Sequence, residues 1–145
     1  MYKVAIITAS DKGYAGERED KSGSVIEEIV TAHELEVTGK IILPDDRQML
    51  SDQMLNYCHQ GIDLILTTGG TGFSKRDVTP EATADIVERR ADNLTFAMIA
   101  NSLQYTPKAM LSRGIAGIRE NTLIVNLPGS PKAVRENLEY AMDAI

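Results

Sequence analysis

The stretch Ile65-Leu66-Thr67-Thr68-Gly69-Gly70-Thr71-Gly72-Phe73-Ser74-Lys75-Arg76-Asp77-Val78-Thr79-Pro80 decides how this chain is read. A short apolar strand, Leu64–Leu66, runs into a loop carrying Gly69, Gly70 and Gly72. Hydroxyls follow at Thr67, Thr68, Thr71 and Ser74, then the cations Lys75 and Arg76 and the carboxylate Asp77. Glycine lets backbone N–H groups turn inward and approach an anion closely. An acid just past such a cradle suits Mg²⁺ riding on phosphates. The stretch therefore reads as a phosphate-binding loop with a metal carboxylate attached. The spacing is neither that of a P-loop nor that of a dinucleotide fingerprint, which would need a third glycine at Lys75.

Outward from this loop, strands and helices alternate. Val4–Thr8 is a buried strand, followed by a polar loop over Ala9–Lys21. Ser24 and Glu27 have capping-box spacing for a helix with Val25, Ile26, Ile29 and Val30 on one face. Glu36–Leu43 is the second strand. Asp45 and Gln48 are spaced as a helix start, with Leu50, Met54 and Cys58 inward as far as Gly61. Thr79-Pro80-Glu81 opens another helix with an N-cap hydroxyl. Helical patterning returns over Leu94–Gln104. Ile115–Arg119 and Thr122–Val125 form a hairpin turning at Glu120-Asn121. Ser130-Pro131 opens a last helix with Val134, Leu138, Met142 and Ile145 inward.

This order predicts an α/β fold: a mostly parallel sheet, covered on both faces, carrying one antiparallel strand. Ligands of such sheets lie at the carboxyl ends of the strands. That rule selects Thr8–Asp11, Pro44–Asp46, Thr67–Asp77 and Asn126–Pro131 as one convergent edge. With 145 residues, 43% hydrophobic and 25% charged, the chain is expected to form one domain over residues 1–145. Its net charge of −6 makes it a poor nucleic-acid binder, so an anionic ligand needs local positive features. A lone cysteine, Cys58, excludes an internal disulfide. No apolar run is long enough for a bilayer, there is no secretory pattern at the start, and the chain reads as cytoplasmic, without membrane contact.

Several pieces together resemble the MogA/MoaB family of molybdenum-cofactor biosynthesis proteins. They are Ser10-Asp11, Asp20-Lys21, Pro44-Asp45, Thr67–Gly72 with Arg76–Pro80, Ala109–Arg113 and Leu127–Lys132, in the family's order along nearly the whole chain. The resemblance implies a three-layer α/β/α domain, usually a homotrimer. It also implies binding of molybdopterin and ATP, and Mg²⁺-dependent transfer of AMP to the terminal phosphate of molybdopterin with release of pyrophosphate. The product would pass to a molybdenum-insertion protein. By correspondence, Asp45 and Asp77 are the catalytic acids and metal holders, Asp77 first. Ser10, Asp11, Thr68, Gly69, Gly70, Thr71, Gly72, Ser74, Arg76, Pro128, Gly129 and Ser130 would contact substrate.

Each residue also has a plainer reading. Asp45 caps a helix just as well. Asp11 suits a turn, Lys75 and Arg76 suit a solvated loop face, and Ser112-Arg113 suits a turn. His33 and His59 read as surface residues and the methionines as core. One departure stands out. The family's Pro-Gly-Phe-x-Glu stretch, with an arginine three residues beyond its Glu, aligns with Asp92–Phe96. Phe96 then replaces the acid and Ile99 the cation. A homologue that binds pterin but has lost turnover is thus the alternative to an active enzyme. A nucleotide hydrolase related to the N-terminal domain of competence-damage-inducible proteins is a third reading. Phe96 itself reads either as a rim residue or as core on a shifted helix.

Overall fold

The computed structural model describes Met1–Ile145. Six strands form one sheet in the order β2-β1-β3-β6-β5-β4. They are β1 (Lys3–Ala9), β2 (Glu36–Leu43), β3 (Leu64–Thr68), β4 (Arg89–Arg90), β5 (Ala116–Arg119) and β6 (Thr122–Leu127). β2, β1, β3 and β6 pair in parallel. β5 runs against both β6 and β4, so one strand opposes the other five, as the patterning predicts. The helices are α1 (Asp11–Tyr14), α2 (Lys21–Ala32), α3 (Arg47–His59), α4 (Thr79–Ala84), α5 (Asp92–Ser102) and α6 (Pro131–Ala141), with a 3₁₀ turn over Pro107–Leu111.

Strand alternation separates two cores. Val4, Ile6, Leu64, Leu66, Val125 and Leu127 face Ile26, Ile29 and Val30 of α2, Met98 of α5, and Val134 and Leu138 of α6. Ala5, Ile7, Ile65 and Ile124 face Leu50, Met54 and Cys58 of α3 and Ala82 of α4. Both faces of each central strand are dry, which explains their unbroken apolar runs. The chain leaves β1 toward β2 on one side and reaches β3 on the other. The crevice between the loops after β1 and β3 is therefore the switch point where α/β ligands sit.

Helix starts are where sequence spacing misleads. Asp20, not Ser24, caps α2: its Oδ1 accepts from the Gly23 N–H at 2.9 Å and its Oδ2 from the Thr8 hydroxyl at 2.9 Å. Ser24 lies inside the helix and donates back to the Asp20 carbonyl. Asp46, not Asp45, caps α3, accepting from the Met49 N–H at 2.9 Å. Thr79 lies within α4, behind Val78 at the N-cap position, and its hydroxyl caps nothing. Ser130 does cap α6, through the Ala133 N–H. The polar loop after β1 contains α1, and β4 and the 3₁₀ turn are too short to leave a periodic signal. Met54, Met98 and Met142 are core, whereas Met1, Met49 and Met110 are exposed. His33 and His59 are exposed.

Asp46→Ala should lower the unfolding free energy by about 1 kcal/mol, the usual worth of an N-cap, read as a reduced urea midpoint. Gln48→Ala should change it by no more than about 0.5 kcal/mol. Equal effects would return the cap to the Asp45–Gln48 spacing.

Candidate functional site

The four loops selected from sequence meet around one open polar cavity of about 900 Å³. Thr8–Gly13 comes from β1 and α1, Asp45 from the end of β2, Thr68–Gly70 with Ser74, Arg76 and Asp77 from the loop after β3, and Gly129–Pro131 from the loop after β6. Gly69 and Gly70 have φ of +90° and +71°. A Cβ on Gly69 would collide with the Ala9 carbonyl, and one on Gly70 would overlap the Thr79 hydroxyl and lie 3.1 Å from Asp45 Oδ1. Only glycine lets this loop settle into its neighbours.

Asp11 and Asp45 are tied reciprocally. The Asp45 N–H donates to Asp11 Oδ1 at 2.9 Å, and the Asp11 N–H donates to Asp45 Oδ2 at 3.2 Å. Arg76 grips Asp11 through Nε at 3.0 Å and a terminal nitrogen at 2.9 Å. The Arg76 guanidinium, helped by the Asp45 N–H, holds the Asp11 carboxyl below the usual carboxylate range. Burial pushes Asp45 the other way, and the Asp11 and Asp77 charges beside it add to the rise. Asp45 Oδ1 is buried with no hydrogen-bond partner, and so is the Thr79 hydroxyl near it. Asp77 Oδ2 accepts from the Ser74 N–H at 3.0 Å and closes the tip of the loop.

These acids fit a hard divalent cation. Asp45 has a dry, unpaired oxygen whose charge is disfavoured, and a cation would reverse that penalty. No three His, Cys, Asp or Glu side chains gather into a cage anywhere in the chain. Two carboxylates with the rest of the shell from phosphates and water is the Mg²⁺ habit.

Not every expected ligand faces the cavity. Thr71 and Gly72 line neither this cavity nor the next; their carbonyls accept from the Arg113 N–H at 2.8 Å and from Arg113 Nε at 2.7 Å. The Thr68 hydroxyl is spent on the Pro128 carbonyl and Thr67 on Asn126. Pro128 and Ser130 border a second, smaller cavity of about 280 Å³ between α5, the 3₁₀ turn and the start of α6. Ser130 belongs to both walls. Thr95 and Ser102 line the smaller cavity with hydroxyls that are buried and unpartnered. Sequence patterning misses these two, because a lone hydroxyl in a helix carries no spacing signal. It also misses Lys12, Arg18 and Ser22 in the larger wall. Phe96 is 73% exposed, which excludes the core reading, and it lines neither cavity; Ile99 lines the smaller one.

The folded chain favours the neutral Asp45 acid, so its charge weakens the fold at pH 7. That penalty fades as pH falls through the raised folded value toward the unfolded value near 3.8. Asp45→Asn in chelator-treated protein should raise Tm by roughly 1–4 °C at pH 7. The gain should shrink with acidification, and added Mg²⁺ should stabilise the parent more than the variant. A variant no more stable than its parent at pH 7 would remove the burial penalty.

Comparison with known proteins agrees with this architecture. Residues 5–145 match the family model described as "Probable molybdopterin binding domain". The chain is 40% identical over 146 residues to a molybdopterin adenylyltransferase of Helicobacter pylori strain J99, covering 98% of this chain and 82% of that protein. It is 42% identical over 152 residues to gephyrin of Dictyostelium discoideum, where 98% of this chain spans only 21% of the longer protein. The crystal structure of the molybdopterin biosynthesis enzyme MoaB from Thermus thermophilus superposes with a TM-score of 0.95 at 44% identity, covering 100% of this chain and 92% of that one. With the family model covering nearly its whole length and the glycine loop in place at the sheet's carboxyl edge, this chain belongs to the molybdopterin-binding domain family.

Proposed function

We propose that this chain, as a single molybdopterin-binding domain over residues 1–145, transfers AMP from ATP to the terminal phosphate of molybdopterin in molybdenum-cofactor biosynthesis. The observation that carries the reading is the pair of cavities meeting at Ser130. One is polar, walled by the glycine cradle and by acids of which Asp45 has an unpaired oxygen. The other is smaller, with unpartnered hydroxyls that suit a polar heterocycle. The H. pylori relative named molybdopterin adenylyltransferase is similar along the whole chain. A homotrimer that hands its product to a molybdenum-insertion protein is what the family resemblance supports, while the lone cysteine and the net charge of −6 support a cytoplasmic protein that binds no nucleic acid.

The chemistry follows from these walls. The triphosphate lies in the larger cavity with its phosphates against the Gly69–Gly70 amides. The pterin lies in the smaller one, with its phosphate at the N-terminus of α6, whose free N–H groups favour an anion. A phosphate monoester is largely dianionic at pH 7. The nucleophile therefore brings no proton for a base to remove, and Asp45 and Asp77 are better used holding a cation. Asp45 and Asp77 would hold Mg²⁺, which would supply neutralisation of the charge that develops on the phosphates. Monoester oxygen attacks the α-phosphorus in line, a new P–O–P link forms, and the bond to the β-phosphate oxygen breaks. Arg76 stays beside the phosphates while Asp11 fixes its direction. Phe96 faces solvent, so the reading of a homologue without turnover rests on Ile99 alone.

Incubation with molybdopterin, ATP and Mg²⁺ should give adenylated molybdopterin and one pyrophosphate per product. Asp77→Asn should lower kcat at least about 100-fold while molybdopterin affinity stays within about threefold, because it removes charge from the reacting step alone. Full turnover at subsaturating Mg²⁺ would take Asp77 out of the mechanism. Gly70→Ala would not isolate binding: the added Cβ meets Thr79 and Asp45, so the fold suffers along with the site.

A further inference from the structure

We propose that Arg113, which lines neither cavity, is the positioning residue that sets Asp77 and the glycine cradle for reaction. The proposal rests on the adenylyl-transfer reading above. Arg113 lies between the 3₁₀ turn and β5, remote in sequence from the loop it holds. Its backbone N–H donates to the Thr71 carbonyl at 2.8 Å. Its Nε donates to the Gly72 carbonyl at 2.7 Å, and one terminal nitrogen donates to the Asp77 carbonyl at 2.8 Å. The same guanidinium is forked onto Glu81 of α4, at 2.6 Å and 3.3 Å.

One side chain thus ties both ends of the 72–77 segment to the first turn of α4. Inside the segment, the tip is closed only by contacts between Ser74, Arg76 and Asp77. With the Asp77 main chain pinned, its carboxylate has a fixed origin; without the pin, the fork of Arg76 onto Asp11 is what still ties this segment to a neighbouring loop. The planar fork matters as much as the charge. Lysine offers a point charge and cannot reach two carbonyls and a carboxylate in one plane. The neighbours Ser112 and Gly114 line the smaller cavity. The arginine therefore joins the wall of one cavity to the loop of the other, and it keeps the two in register.

The test is Arg113→Lys, with Arg47→Lys as control. Arg47 makes a similar forked pair with Asp85 at the far end of α4, away from both cavities. For Arg113→Lys, kcat should fall roughly 30- to 100-fold, the scale of a catalytic group displaced by about an ångström. KM for molybdopterin should stay within about twofold, and half-saturating Mg²⁺ should rise about tenfold, as for other residues that orient metal ligands. The control should change none of these. Mn²⁺ titration by electron paramagnetic resonance, with ATP present and molybdopterin absent, needs no turnover and should show about tenfold weaker binding in Arg113→Lys. If Arg113→Lys does not fold, Glu81→Gln replaces it with the same criteria, since it cuts the anchor and leaves the carbonyl bonds. Unchanged Mn²⁺ affinity together with unchanged kcat would overturn the proposal, as would a kcat loss that merely follows the unfolded fraction. A parent protein that makes no adenylated product but loses Mn²⁺ affinity on Arg113→Lys would overturn the adenylyl-transfer reading and leave the positioning role standing.

Discussion

The carboxyl edge of the sheet depends on how closely three stretches of backbone approach one another. The loop after β3 passes Ala9 with no room for a Cβ at Gly69, while Gly129 packs beside Gly69 at ordinary contact distance. The Thr68 hydroxyl bonds the Pro128 carbonyl at 2.6 Å, and Ser22 bonds the Gly129 carbonyl at 2.6 Å. Hydroxyls thus sew the loops after β3 and β6 to each other and to α2. A gap narrow enough to hold phosphate between main-chain amides requires this packing, and the packing admits only glycine at its tightest points. The cradle and the fold are for that reason one constraint. A substitution that opens the ligand site also loosens the contact between the central strands' loops.

The second constraint is electrostatic. Three carboxylates, Asp11, Asp45 and Asp77, share one corner, and the chain satisfies them unequally. Asp11 takes Arg76 as a forked partner and stays ionised easily. Asp77 takes one amide. Asp45 receives a single long bond from the Asp11 N–H, keeps one oxygen dry, and is pushed toward its neutral form. A half-buried acid with one oxygen left like this is a cost unless a cation arrives. The local rule that buried polar atoms find partners fails here at two neighbouring atoms, Asp45 Oδ1 and Thr79 Oγ1.

Much of this is legible in the residues. The order of strands and helices, the bounds of β2 and the convergence of four loops all follow from periodicity and the switch-point rule. They hold because long apolar runs can be buried in few ways. Spacing misplaces the caps for a common reason. Ser24 with Glu27, and Asp45 with Gln48, have good spacing, yet a residue a few positions earlier or one later makes the better bond. Asp20 gains Thr8 as a second partner, and Asp45 is already tied to Asp11, leaving Asp46 for the cap. Both outcomes are tertiary contacts that spacing cannot carry. The same holds for Arg113, whose side-chain partners lie 32 to 41 residues away.

For a chain of net charge −6, the proposed binding of two polyanions requires positive features placed with care. Arg76 is largely neutralised by Asp11, so the formal charges of the loop alone would not suffice. Lys12, Arg18 and Lys21 in the wall of the larger cavity take part in no ion pair. Most other arginines are spent: Arg47 on Asp85, Arg90 on Asp92, Arg113 on Glu81, and Arg135 on Glu28 and Glu139. The uncommitted cations of this wall sit on the strap after β1 and on the first residue of α2, whereas the amides sit on the loop after β3. Such a division gives long-range attraction to exposed, salt-screened side chains and short-range selection to fixed backbone dipoles.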